Sequence, residues 1–189
     1  MTTRCDAPAS DDDLLDYWTG AMPGTDADRM EEHFFSCGEC AARLGAMVSL
    51  GTGLATLVRR GRVSGVVSRS LLNRLQRDGV HVRQFTVWPG ETVPCAAFPG
   101  DDLLVVALHA DFAGAETVNL SVTGPEDASF RYMGDVPIAG AEREILWATP
   151  GADVRRMPSA RLRLTLTSGR PGAPVLGEYE LDHTAVPGA

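Results

Sequence analysis

A chain of 189 residues has room for one well-cored domain or for a small module followed by a medium one, and 44% apolar with 22% charged residues excludes wholesale disorder. Its net charge of -8 falls in blocks: -8 over residues 1–40, +7 over 41–83 and -7 over the remainder. An acidic head beside a basic middle favours a basic partner or an internal docking surface over direct nucleic-acid binding.

The opening MTTRCDAPASDDD has neither an apolar core nor a small-residue cleavage pattern, so no secretory leader is expected. Asp11, Asp12 and Asp13 suit the positive end of a helix dipole, and Leu14, Leu15 and Trp18 follow at helical spacing. Met22-Pro23-Gly24 closes that helix. A second is expected from about Asp26 to Phe35, with Met30, His33 and Phe34 on one side. A third starts near Cys37 and carries LGAMVSLGTGLATLV, residues 44–58, loosened at Gly51 and Gly53. That apolar stretch is shorter than the ~20 residues a bilayer core asks for, so a buried or partner-facing helix is expected rather than a membrane span. Arg59-Arg60-Gly61-Arg62 reads as a basic hinge. Ser64 to Arg77 reads as a fourth, amphipathic helix containing Val66, Val67, Leu71, Leu72 and Leu75, closed by Asp78-Gly79.

Beyond Gly79 the apolar period changes from about 3.6 to 2. Strands are expected at 80–88, 103–110, 117–122, 129–133, 144–148, 161–167 and 177–183. Turn signals separate them at Pro89-Gly90, Pro99-Gly100, Gly124-Pro125, Pro150-Gly151 and Arg170-Pro171-Gly172. Short strands at this spacing argue for a β-sandwich or small barrel.

Residues 33–40, HFFSCGEC, carry the most specific chemistry. C-x-x-C is the spacing at which two thiolates reach one zinc ion from a tight turn, and His33 lies one helical turn before Cys37. A closed structural site needs a fourth ligand. Cys5 is the natural candidate, with Asp6 and Asp11 as weaker substitutes. The competing reading is packing: Cys37 and Cys40 as small buried residues and His33 as a satisfied helix-end histidine. Closely spaced thiols in a reducing compartment point to metal or redox chemistry before structural disulfides.

With Cys5 upstream, Leu14, Leu15, Trp18 and Gly20 in the first helix and turn, and Glu32, His33, Cys37 and Cys40 closing the motif, residues 1–78 resemble the zinc-associated anti-sigma domain of bacterial anti-sigma factors. The resemblance implies a four-helix, zinc-binding domain with Zn2+ held by Cys5, His33, Cys37 and Cys40. It also implies that three helices bundle while the fourth clasps an extracytoplasmic-function sigma factor in the cytoplasm and keeps it from RNA polymerase. Val67, Leu71 and Leu75 would then lie in the partner's groove. Some members of that family release sigma when their thiolates are oxidised, and others keep zinc as a passive staple.

The expected fold is therefore α+β and multidomain: a small N-terminal zinc-binding helical bundle, residues 1–78, and an all-β sandwich-like domain, residues 79–189, serving as sensor or regulator. A cupin would carry an H-x-H pattern; TVWPGETVPCAAFPG instead places Cys95 there, so an immunoglobulin-like sandwich is preferred. Cys95 reads as a buried thiol more readily than a reactive one. His81, His109 and His183 sit on separate strands and read as surface or satisfied histidines. Asp101-Asp102 and Glu126-Asp127 flank turns, where solvated acids are expected. With no phosphate loop, nucleophile elbow or H-E-x-x-H, no enzyme is indicated. Two other functions are compatible with these residues: a thiol or zinc redox sensor, and a β-sandwich ligand-binding module acting on a non-sigma partner.

Overall fold

The computed structural model describes residues 5–124, 130–138, 143–169, 172 and 174–186. The Glu126-Asp127 pair, the expected strand start at Ser129 and the turn residues Pro125, Arg170 and Pro171 lie outside them. Among the described residues the chain is α+β, with five helices, mostly N-terminal, and nine strands in two mixed sheets. It forms two compact units. One takes the chain through Leu57 together with Arg69–Val80; the other takes Val58–Ser68 and the chain from His81 onward.

In the first unit, α1 (Asp11–Thr19) begins with a capping box: Asp13 N–H donates to Ser10 Oγ at 3.0 Å while the Asp13 carboxylate accepts from Ser10 N–H at 3.2 Å. It ends at Gly20, whose left-handed φ of 71° suits glycine. Leu14 is buried and so is Trp18, but Leu15 is 39% exposed. One residue turns a helix by about 100°, so the i, i+4 pair faces inward and its neighbour does not. Helices α2 (Gly24–Ser36) and α3 (Gly38–Arg59) follow, joined only through Cys37. Gly51 does not loosen α3, which is continuous; a Cβ there would lie 2.0 Å from the Trp18 ring, so glycine opens the notch that seats the indole.

The fourth helix is shorter than its sequence pattern suggests. Gly65–Val67 forms a strand, β1, and α4 covers Arg69–Arg77. The β-branched pair Val66 and Val67 favours extended backbone, and a ladder with 146–148 satisfies its polar groups. The predicted helical face of Val67, Leu71 and Leu75 is corrected accordingly: Leu72 and Leu75 are the fully buried residues of α4. The helix packs on α1 and caps it. Arg74 Nη1 donates to the Trp18 carbonyl at 3.1 Å with its guanidinium 5.2 Å from the Trp18 ring, and Arg77 donates to the Thr19 carbonyl. Two cations thus meet the negative end of α1.

In the second unit, β2 (Val82–Val87), β4 (Leu103–His109) and β7 (Glu144–Pro150) join β1 in the order β1-β7-β4-β2. The other sheet runs β3-β9-β8-β5-β6, from β3 (Thr92–Cys95), β5 (Thr117–Thr123), β6 (Phe130–Pro137), β8 (Ala160–Ser168) and β9 (Val175–His183). Val106, Leu108 and Trp147 of the first sheet share one core with Leu120, Leu164 and Leu181 of the second. Tyr179 ties the two together, its buried hydroxyl donating to the His109 carbonyl at 2.7 Å.

The sheets are not purely antiparallel, as an immunoglobulin-like sandwich would be: β2 runs parallel to β4, and β3 parallel to β9. The Pro89-Gly90 turn causes this by carrying the chain from one sheet to the other, Gly90 at φ 83° donating to the Glu178 carbonyl. Pro150-Gly151, read as a turn, opens a short helix, α5 (Gly151–Arg156). A Cβ on Gly151 would fall 2.0 Å from the Asp101 carbonyl oxygen, so only glycine admits this approach.

Candidate metal centre

Cys5, His33, Cys37 and Cys40 come together, their four ligand atoms all within 4.8 Å of one another. Local geometry assembles three of them. His33 stands in the last turn of α2, Cys37 is the residue at which α2 ends, and Cys40 lies in the first turn of α3. Cys37 N–H donates to the His33 carbonyl at 2.8 Å and Ala41 N–H to the Cys37 carbonyl at 3.1 Å, so one residue closes one helix and opens the next. Cys5 arrives from the leader, its N–H held by Glu39 Oε2 at 3.2 Å.

Two of the separations suit a tetrahedral ion. Metal–sulfur and metal–nitrogen bonds of ~2.3 and ~2.0 Å imply edges of ~3.8 Å between sulfurs and ~3.5 Å between sulfur and nitrogen. Cys5 Sγ lies 3.9 Å from Cys40 Sγ and 3.6 Å from His33 Nε2. Three thiols and an imidazole form a closed set of soft and borderline donors, which can hold a metal ion without leaving a position for substrate.

The Cys37 and Cys5 thiols are shifted in opposite directions. The Cys40 backbone N–H, followed by the neighbouring Cys5 and Cys40 side chains, lowers the Cys37 thiol below its ordinary value. Desolvation first, then the Cys37 and Cys40 thiols, push Cys5 up to about 11. Cys5, Cys37 and Cys40 would hold a bound dication as thiolates, with His33 as a neutral imidazole.

Arg43, one turn beyond Cys40, supports the cluster and was not singled out from the sequence. Its Nη1 donates to the Ala9 carbonyl at 2.6 Å and its Nη2 to Asp11 at 2.7 Å, which pins the leader and the start of α1 to α3. Asp11 is thereby engaged as an ion-pair partner, so it is not among the clustered donors. The Asp11 hydrogen bond, with the Cys40 sulfur adding to it, keeps this guanidinium more firmly protonated than usual. Alternating the residue types by helical turn, Cys37, Cys40, then Arg43, is the sequence signal that could have revealed it.

The remaining candidates have other settings. Cys95 and His183 pair in register on β3 and β9, the sulfur 4.0 Å from His183 Nδ1 while His183 Nε2 meets the Met157 carbonyl at 3.2 Å. Burial pushes the Cys95 thiol up to about 11, so it is a neutral packing group rather than a nucleophile. His109 stacks on Trp88 at 4.2 Å, and exposed His81 lies beside Asp102. Asp101 and Asp102 are less solvated than the turn signal suggested. Asp101 Oδ2 accepts from Arg83 at 2.7 Å and from Phe98 N–H at 2.8 Å, and Asp102 Oδ2 accepts from His81 N–H at 2.9 Å.

Fold and site together define a two-unit α+β chain whose helical unit carries a closed Cys3His cluster. No known family model matches the chain, and no curated protein matches it.

Proposed function

We propose that the chain is a zinc-stapled anti-sigma factor, its helical unit sequestering an extracytoplasmic-function sigma factor and its β unit adding regulation. The observation that carries this reading is the Cys5-His33-Cys37-Cys40 cluster, its four ligand atoms within 4.8 Å of one another, in the helical setting whose residues resemble the anti-sigma domain. When bound, zinc would supply charge neutralisation and cross-linking: Cys5 anchors the leader, and His33, Cys37 and Cys40 fix the angle between α2 and α3.

Exposure supports a protein partner. No residue of α2 is buried, Phe35 is 91% exposed, and Leu50 on α3 is 74% exposed. Single exposed apolar side chains are ordinary, and it is a contiguous patch that marks an interaction surface; in this reading Phe35 and Leu50 belong to one. Because Leu72 and Leu75 of α4 are already buried, the partner surface in this reading is built from α2 and α3, with α4 closed on α1. Helix α3 is 22 residues long and apolar enough by length and composition to cross a membrane. Here it is assigned instead to the partner interface of a cytoplasmic, non-enzymatic regulator, because its N-terminal turn carries Cys40 and its notch at Gly51 seats Trp18.

Co-expression with any extracytoplasmic-function sigma factor encoded beside the gene tests the reading. The expected result is a one-to-one complex that Phe35→Asp with Leu50→Asp abolishes while metal content is unchanged. Separate elution of the two folded proteins would overturn it.

A second reading, thiol sensing, is favoured by the accessibility of Cys5 and Cys37, both only partly buried. Hydrogen peroxide would take two electrons from a pair of thiolates and, with two protons from solvent, yield a disulfide and two waters, with release of zinc. Titrating the zinc-loaded protein with peroxide and a chromogenic chelator decides between a sensor, which releases its metal, and a staple, which retains it.

A further inference from the structure

The proposed zinc site carries more negative charge than its ion cancels. Three thiolates outweigh a dication by one charge, and Glu39, whose carboxylate accepts from Cys5 N–H at 3.2 Å, adds another beside them. Cys40 is fully buried, so bulk water does not screen that charge at its sulfur. Arg43 follows on the same face of α3, one turn beyond Cys40, with its guanidinium against the Cys40 sulfur.

Each sulfur has a donor beside it. Cys37 faces the backbone N–H groups of Cys40 and Glu39, and Cys5 faces that of Ala7, so these donors are fixed by the path of the chain. The Cys40 sulfur faces a side chain, that of Arg43. The same guanidinium donates from Nη1 to the Ala9 carbonyl at 2.6 Å and from Nη2 to Asp11 at 2.7 Å, and it carries more N–H groups than these bonds use. The Asp11 side chain is 85% exposed, so that ion pair contributes little by itself. What Arg43 joins is a buried sulfur and the leader that delivers Cys5.

We propose that Arg43 is the charge-compensating partner of the cluster: it donates to the metal-bound Cys40 thiolate, latches the leader that carries Cys5, and by both keeps the ion bound. The proposal rests on the zinc reading of the cluster and not on the sigma-binding one. A cation with an N–H donor beside a ligating thiolate relieves repulsion among the three sulfurs and lowers the energy of the sulfur lone pairs. Groups in this outer position change metal affinity by about 10- to 100-fold when removed. A latch alone would hold Cys5 without altering the electronic state of the Cys40 sulfur, and that difference can be read spectroscopically.

Cobalt(II), loaded into the two-unit chain in place of zinc, is the probe, because its visible bands report tetrahedral geometry and its near-ultraviolet bands report sulfur-to-metal charge transfer. Arg43→Gln is expected to move the charge-transfer bands to longer wavelength while the visible bands stay tetrahedral, and to speed transfer of zinc to a chromogenic chelator roughly 10-fold or more. Arg43→Lys keeps the charge but not the planar fork, so both effects should be intermediate. Asp11→Asn loosens the latch and leaves the guanidinium in place: the charge-transfer bands should stay where they are, and zinc transfer should change by less than about 5-fold. Circular dichroism identifies a variant that does not fold, and if Arg43→Gln is one, Arg43→Lys carries the test. Charge-transfer bands that stay unmoved in the folded Arg43 variants, or that move equally in Asp11→Asn, overturn the proposal and leave the metal site standing. A wild-type chain without a tetrahedral cobalt spectrum overturns the metal site and the proposal with it.

Discussion

Helix α2 carries no buried residue, whereas strand β4 is buried at six consecutive positions, Leu103 to Leu108. The same contrast runs through the two units. The helical unit buries few large side chains, among them Leu14, Trp18, Leu72 and Leu75, and gathers three thiols and an imidazole at the α2–α3 junction. The β unit interleaves alternating residues of β5, β8 and β9 into a core shared with the opposite sheet. A small core leaves little hydrophobic free energy to oppose chain entropy, and small modules compensate with metal cross-links. With zinc bound as proposed, the helical unit is vulnerable to loss of ligands and the β unit to loss of packing.

If the cluster holds zinc as proposed, its removal should separate the units most strongly. A structural zinc contributes on the order of 10 kcal/mol to the folding of a small module. Chelation at neutral pH, or Cys40→Ala, is therefore expected to erase the helical unit's melting transition and much of the helical circular dichroism, leaving the β-unit transition in place. One unchanged transition in both samples would break the comparison. Leu164→Ala should do the reverse. Its side chain is fully buried in β8, and truncation there costs about 2–5 kcal/mol, lowering the β-unit melt while bound metal stays constant.

Gly51→Ala sharpens the account of the helical core. Alanine favours the helix by about 1 kcal/mol, but its Cβ meets the Trp18 ring at 2.0 Å, and overpacking costs about 1–3 kcal/mol. A net loss of roughly 1 kcal/mol is expected, with altered Trp18 fluorescence; a stabilised protein would show that the notch does not matter.

The smallest effect concerns pH. Desolvation is the largest influence on Asp101 and acts upward, but hydrogen bonds from Arg83 and from Phe98 N–H, aided by Arg155, leave its carboxyl below the ordinary value. A folded pKa beneath the unfolded one stabilises above the unfolded value and is lost as pH falls through the folded one. The β-unit melting temperature should fall as pH drops below about 4, and Asp101→Asn should flatten that decline. An identical acid profile in the variant would remove Asp101 from the account.

The parts legible in the sequence were those written locally. H-x-x-x-C-x-x-C spans a single helix junction, so its three donors were visible in eight residues, while Cys5 could be chosen only on chemical type. Strand β4 announced itself as LLVVALH, and β8 by strict alternation. What escaped depends on distant partners. β1 is three residues long and is stabilised by pairing with 146–148, a contact that no local period reveals, so GVV was absorbed into a helix. β3 contains Pro94, and its place as an edge strand beside β9 accommodates a residue that donates no ladder bond. α5 rests on the approach of Gly151 to the Asp101 carbonyl.

Metal analysis with zinc-edge X-ray absorption on the two-unit chain, purified without added metal, tests directly whether the helical unit is built around a tetrahedral zinc ion. One zinc per chain is expected, with three sulfur ligands at ~2.3 Å and one nitrogen at ~2.0 Å, and loss of one sulfur or of the metal in Cys5→Ala. A folded, fully reduced protein with no stoichiometric metal would contradict it.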